Sequence, residues 1–218
     1  MKCPGAGMTE KIRKIRSDQC VSEGAQWLAG AVPEFAKVLP GLVPLPLRLR
    51  ADGFPALVDA IIGQQISTSA ASAIAQRMKD AGLTSPDQIL AASDEELRAA
   101  GQSVQKIKYL RALAKADLDY PSFHNMSSVE VIKTLTALPG IGPWTAEIYT
   151  MFSLGHADVF PAGDLALQEA AKVLFDLPER PKPAEMREMA QAWSPWRSVA
   201  ARLLWAYYRD IKKRDGIR

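Results

Sequence analysis

Residues 138–145 read LPGIGPWT. A helix-forming run ends just before this stretch, and a second begins with Pro143, a residue suited to the first turn because its missing N–H is not needed there. Gly140 and Gly142 permit positive φ and carry no side-chain bulk, so another molecule's backbone can come close. The first amides of the second helix lack intrahelical partners and carry the positive end of its dipole. A Gly-x-Gly turn ahead of such an end suits a phosphate without any charged side chain. The alternative is a tight helix–helix corner with no ligand.

Working outward, apolar residues recur at helical spacing on both sides. Phe54, Leu57, Val58, Ile61 and Ile62 form one stripe; Ile107, Leu110, Leu113, Ala114 and Leu118 form another. Ser85 before Pro86, and Ser93 before three acids with Gly101 as the stop, mark helix ends; Ser103 opens the next helix. Helices are expected over 21–39, 70–79, 128–138, 143–154, 164–175, 184–193 and 195–212. GQQISTS interrupts the pattern after Ile62, PGLVPLPLRLR (40–50) reads as an extended connection, and the basic run KIRKIR (11–16) reads as a lightly packed, solvated segment. Strand signals are nearly absent. The fold class is all-α.

The 218 residues are 48% hydrophobic and 23% charged, with a net charge of +3, enough for a sizeable core and compatible with a polyanion-facing surface without requiring one. Cys3 and Cys20 cannot build a disulfide framework, a zinc ligand set or a four-cysteine iron–sulfur loop. The start MKCPGAGMTEK lacks the apolar core of a secretory signal, and no apolar run is long enough to span a bilayer. The expectation is a reducing intracellular setting, the cytoplasm if the source is bacterial.

The stretch LPGIGPWTAEIYTMFSLGHADVFPAGDLALQ resembles the signature of the helix–hairpin–helix DNA glycosylases, and FPALVDAIIGQQIS, GQSVQKIKYLRALA and WSPWRSVAARLLW follow in family order. The tryptophan after the hairpin and the last block resemble the DNA-3-methyladenine glycosylase II (AlkA-type) branch. The resemblance runs from about Phe54 to Tyr208. It implies two helical lobes with a lesion cleft between them: 1–50 with 155–218, carrying both chain ends, and 51–154, with the helix–hairpin–helix at about 128–154. It leaves no room before Phe54 for the β-rich N-terminal domain of the longer enzymes of the branch.

By the same resemblance, Asp164, twenty positions after Trp144, is the catalytic aspartate. By itself an aspartate ahead of LALQEAA is an N-cap, and the two roles are compatible, because a helix N-terminus favours a carboxylate that stabilises an oxocarbenium-like sugar. Gly163 stands where some relatives carry a second acid. Trp144 occupies the place of the lysine that attacks the sugar in bifunctional members; an indole cannot form a Schiff base, which implies a monofunctional enzyme. Trp144 and Trp205 would wall the pocket, the rings attracting cationic alkylpurines, although indoles are also common core residues.

Base extrusion requires a residue to fill the gap, and the resemblance places it at Gln65, with Gln64 beside it. Ser67 would hold a phosphate or cap the next helix. The amides of Gly140, Gly142 and Thr145 would grip the DNA backbone, with Lys106, Lys108, Arg197 and Arg202 as further phosphate contacts. The carbonyls of Thr136, Leu138 and Gly140 fall where the family often holds a sodium or potassium ion; no other cofactor is implied. The implied partner is double-stranded DNA carrying damaged bases, met by a monomer, in the nucleoid of a bacterium or the nucleus of a eukaryote. The activity implied is excision of alkylated purines, leaving an abasic site. A glycosylase for deaminated or oxidised bases and a non-enzymatic DNA-binding module are the alternatives.

Overall fold

The computed structural model describes residues 12–214; the start MKCPGAGMTEK, with Cys3 and with Lys11 of the basic run, lies outside the described residues. Among them the chain is helical, with one isolated antiparallel bridge, Lys14 to His156, and no strand. The helices are α1 (Asp18–Ala31), α2 (Pro33–Val38), α3 (Gly53–Ile62), α4 (Thr68–Asp80), α5 (Pro86–Ala91), α6 (Asp94–Ala99), α7 (Val104–Lys115), α8 (Ser128–Thr136), α9 (Pro143–Phe152), α10 (Leu165–Leu174), α11 (Pro183–Met189) and α12 (Arg197–Arg214). No helix of the described residues is long and apolar enough to cross a membrane.

Local chemistry accounts for most of the boundaries. Ser17, Ser67, Ser85, Ser93, Ser103 and Ser127 each accept a backbone N–H of the helix they precede, and Gln88, Glu96 and Glu130 complete capping boxes. The single helix expected over 21–39 is two helices: Pro33 holds Val32 in an extended conformation and starts α2. A second expectation is corrected at the basic run. Residues 13–15 are not a loose arm, because Ile15 is 1% exposed, its amide donates to Gly155 O at 2.7 Å, and Arg13 lies over the Trp196 ring. An isoleucine among the charges pins the segment into the core.

Two apolar clusters form. One gathers α1, α2, α10, α12 and the loop 157–162 around Phe35, Trp193 and Trp196; the other gathers α3 to α8 around Leu57, Ile61, Leu110 and Leu135. α9 serves both: Met151 and Phe152 enter the first, Ala146 and Tyr149 the second. The hairpin preceding α9 is thus carried on a helix gripped from two sides, which fixes where its tip points.

Candidate active site

The hairpin is built by two glycines used differently. Gly140 has φ +86, and a Cβ there would lie 2.3 Å from Tyr109 Cγ on α7, so the fold itself demands glycine. Gly142 is the N-cap of α9 in an ordinary extended conformation, with open space where a Cβ would stand and no side-chain cap. The amides of Gly140 and Gly142 take no partner among the described residues. The tip therefore presents bare donors to solvent.

Asp164 is held by its loop as much as by its helix. Ser198 of α12 bonds to His156 O and Val159 O and receives Val159 N, Gln168 bonds back to Ala162 O, and Asp164 N donates to Pro161 O. The half-buried carboxylate then caps α10: Oδ1 accepts Ala166 N at 2.9 Å and Leu167 N at 3.1 Å. Oδ2 accepts the indole N–H of Trp144 at 3.0 Å. Three donors and a helix N-terminus complement its negative charge, and of roughly four lone-pair positions on a carboxylate one remains, on Oδ2. Trp144 is 47% exposed, so its ring faces are open while its edge is tied to Asp164.

Beside the hairpin a cleft of about 460 Å³ opens between α3 and α9, lined by Pro55, Asp59, Thr145, Ile148 and Tyr149, with Arg50 at the entry from the connecting segment. Trp144 and Asp164 are not among its lining residues; Trp144 lies one turn ahead of Ile148 on the same face of α9. Burial pushes the Tyr149 hydroxyl up to about 12, so it keeps its proton while accepting Gly53 N at 2.9 Å.

Other expected residues stand as follows. Trp205 is half-buried and stacked on Phe152, centroids 5.9 Å apart, and does not pair with the Trp144 ring. Ser67 caps α4 through Ala70 N at 3.2 Å. Gln65 is exposed at the apex of the α3–α4 loop with φ +60, and Gln64 donates to Gly140 O at 2.7 Å. Three of the basic residues expected at phosphates make hydrogen bonds within the fold. Lys106 donates to Ile62 O and Gln64 O, burial pushing its ammonium pKa down. Arg197 bonds Ala190 O and pairs with Asp158. Arg202 is 1% exposed, bonded to Leu47 O and Ser198 O over the Phe152 ring, with burial lowering it to about 10. Lys108 remains exposed.

At the carbonyls expected to hold a cation, Leu138 O accepts Ile141 N and Gly140 O accepts Gln64, each keeping a second lone pair, while the Thr136 hydroxyl turns back to Ile132 O. Among the described residues no group of three or more His, Cys, Asp or Glu side chains converges to hold a metal. Tyr109, which closes over Gly140, and the Trp144–Asp164 bond escaped the sequence reading; only the spacing of Tyr109, one turn after Lys106, hinted at a shared face.

An all-helical chain in which a bare Gly-x-Gly hairpin delivers a tryptophan onto an aspartate capping the next helix defines a class. Residues 58–196 match the HhH-GPD superfamily of base excision DNA repair proteins, and the chain belongs to that family. It is 32% identical over 165 residues to DNA-3-methyladenine glycosylase 1 of Schizosaccharomyces pombe, covering 72% of each chain. Among solved structures it is similar to a DNA-3-methyladenine glycosidase from Bacillus halodurans, at 34% identity and TM-score 0.77, over 92% of this chain and 94% of that one. It is also similar to the S. pombe 3-methyladenine DNA glycosylase in complex with abasic DNA, at 28% identity and TM-score 0.71, over 84% and 95%.

Proposed function

We propose that the protein is a monofunctional DNA glycosylase that hydrolyses the N-glycosidic bond of alkylated purines in duplex DNA, of the 3-methyladenine and 7-methylguanine type, leaving an abasic site for base excision repair. The observation that carries this reading is the indole N–H of Trp144 bonded to Asp164 Oδ2. It puts a ring at the place where a strand-cutting relative would need an amine, and orients a carboxylate with one lone pair in reserve.

Departure of the base builds positive charge on the deoxyribose. A fixed carboxylate stabilises that charge, and a preorganised one does so without reorganising during the step. The reserved lone pair of Oδ2 serves the sugar cation or the attacking water. Cationic alkylpurines leave readily and are drawn to the open face of the Trp144 ring, whose exposure leaves it available. The free amides of Gly140 and Gly142 would take phosphate oxygens, and a sodium or potassium ion at the neighbouring carbonyls would supply one more positive charge there. The names of the S. pombe and B. halodurans relatives support the lesion class, and the abasic-DNA complex supports the substrate.

The direct test is release of 3-methyladenine and 7-methylguanine from methylated duplex DNA by the wild type and by Asp164→Asn. Release by the wild type, largely lost in the variant, with no strand cleavage, is expected. Equal release by both would remove Asp164 from the chemistry. Release by neither, with retained DNA binding, would leave a binding module.

A further inference from the structure

The loop between α3 and α4 and the hairpin before α9 are separate in sequence, yet residue 64 joins them at two points. Its side-chain amide donates to Gly140 O at 2.7 Å, across 76 positions of chain. Its own carbonyl accepts from Lys106 Nζ at 2.9 Å, and the same ammonium donates to Ile62 O at 2.6 Å, closing the end of α3 from the first turn of α7. The next residue, Gln65, sits exposed with φ +60, a conformation that costs an L residue and persists only where its neighbours enforce it. Gly140, the acceptor, is itself locked by Tyr109 on α7.

From this geometry we infer that Gln64 and Lys106 are positioning residues that hold Gln65 outward and at fixed distance from the phosphate-gripping turn, so that the gap-filling loop and the hairpin act as one preassembled part. The inference rests on the glycosylase reading and deepens it. A loop tethered in this way loses little further freedom on meeting DNA, and gripping the phosphates brings Gln65 to the helix axis in the same movement. Two of the three protons of the Lys106 ammonium are committed to carbonyls at the end of α3 and in the loop.

The test uses Gln64→Met, which keeps length and removes the donor, and Lys106→Met, each measured beside Gln65→Ala and the double variant with Gln65→Ala. Single-turnover release is measured for one lesion in two settings, paired in a duplex and unpaired in a single-nucleotide bulge. A bulged base is already largely out of the stack, so a device that assists extrusion matters less there. For Gln64→Met we expect about tenfold slower release from the paired site, the size of one lost hydrogen bond, and a loss of under about threefold from the bulge. Adding the change to Gln65→Ala should cost little more, because both act through one side chain.

Equal losses at paired and bulged sites, no loss at either, or full additivity with Gln65→Ala would each overturn the inference. A second readout is independent of chemistry: fluorescence of 2-aminopurine placed next to an abasic site, which rises as its neighbour is displaced. If the wild type releases no base, the glycosylase reading fails. The fluorescence still decides whether Gln64 and Lys106 govern insertion at Gln65: an unchanged signal in both methionine variants refutes it. Should Gln64→Met fail to fold, Lys106→Met carries the same comparison from the other end of residue 64.

Discussion

Replacing Gly142 with alanine separates what the fold requires of the hairpin from what a ligand would require. At Gly140 the two cannot be separated, since φ is +86 and a Cβ would lie 2.3 Å from Tyr109 Cγ and 2.8 Å from Tyr109 Cβ, atoms too near the root of the ring to swing aside. At Gly142, φ −84 and ψ 171 suit alanine and suit a residue before proline, and nothing lies within 4 Å of the added carbon. Two small effects then oppose one another. Alanine is a poorer N-cap than glycine by about 0.5–1 kcal/mol, while removing glycine's freedom from the unfolded chain contributes about 0.4–1 kcal/mol. Thermal unfolding of Gly142→Ala should stay within about 2 °C of the wild type. Gly140→Ala adds left-handed strain to a clash, together about 3 kcal/mol, and should melt roughly 10 °C lower. Toward DNA the neutral variant becomes the damaging one, because its methyl group stands beside the free amides. Losing one hydrogen bond to a charged phosphate costs about 1.5–3 kcal/mol, which is roughly a 10- to 100-fold weaker Kd. The assay is fluorescence anisotropy with an abasic-site duplex at one fixed salt concentration, read beside the melting curves. Wild-type affinity in Gly142→Ala would refute the assignment of this turn to a phosphate.

Asp164→Asn keeps volume and both cap-accepting geometry and solubility while removing the charge; single-turnover base release should fall by about 10³-fold with abasic-duplex affinity little changed. Trp144→Phe keeps an aromatic face but removes the donor to Oδ2, so release should fall about tenfold for cationic and neutral lesions alike; a fall confined to cationic lesions would show that the ring face alone matters. His156 is fully buried beside Ser128, and desolvation lowers it from 6.5 to about 4. Between those values the unfolded chain binds a proton that the folded one refuses, so stability present above pH 6.5 is lost as pH falls toward 4, by up to about 3 kcal/mol; denaturant titrations should show that slope and His156→Asn should flatten it. On the other flank of α9, Arg187 Nη1 bonds the buried Glu147 at 2.8 Å, and Arg187→Met should cost about 2 kcal/mol at neutral pH and less in acid, where burial's upward push on Glu147 lets the carboxyl protonate; equal loss at both pH values would refute this.

What the sequence revealed and what it concealed divide by distance along the chain. The serine caps, the proline starts and the stripe of Phe54, Leu57 and Ile61 act within one or two turns, so the helical fold and the hairpin could be read directly. Asp164 was legible as a cap by local chemistry, and the catalytic role is what the resemblance implies for it. Much of what stayed hidden involves backbone partners. Lys106, Arg197 and Arg202 each bond backbone carbonyls, among them those of Ile62, Ala190 and Leu47. Ile15 was hidden among basic residues, and its burial depends on a backbone bond to Gly155. Carbonyl acceptors carry no sequence signal at all, since every residue has one.

The treatment of helix N-termini bears on the proposal of a phosphate at the hairpin. Six helices take a serine whose hydroxyl satisfies the first-turn amides from within the chain. α10 takes Asp164, which satisfies two of them and still holds the Trp144 edge. α9 begins on Gly142 with no side-chain cap, two residues after Gly140, whose amide is equally free. Leaving such donors bare costs stability that a serine would readily supply. An N-terminus left open in this way, with Trp144 in its first turn bonding the Asp164 carboxylate, suits an anion that arrives from outside. α2 and α3 also start without a side-chain cap bond, so what sets α9 apart is the pair of glycines with free amides at the head of the helix.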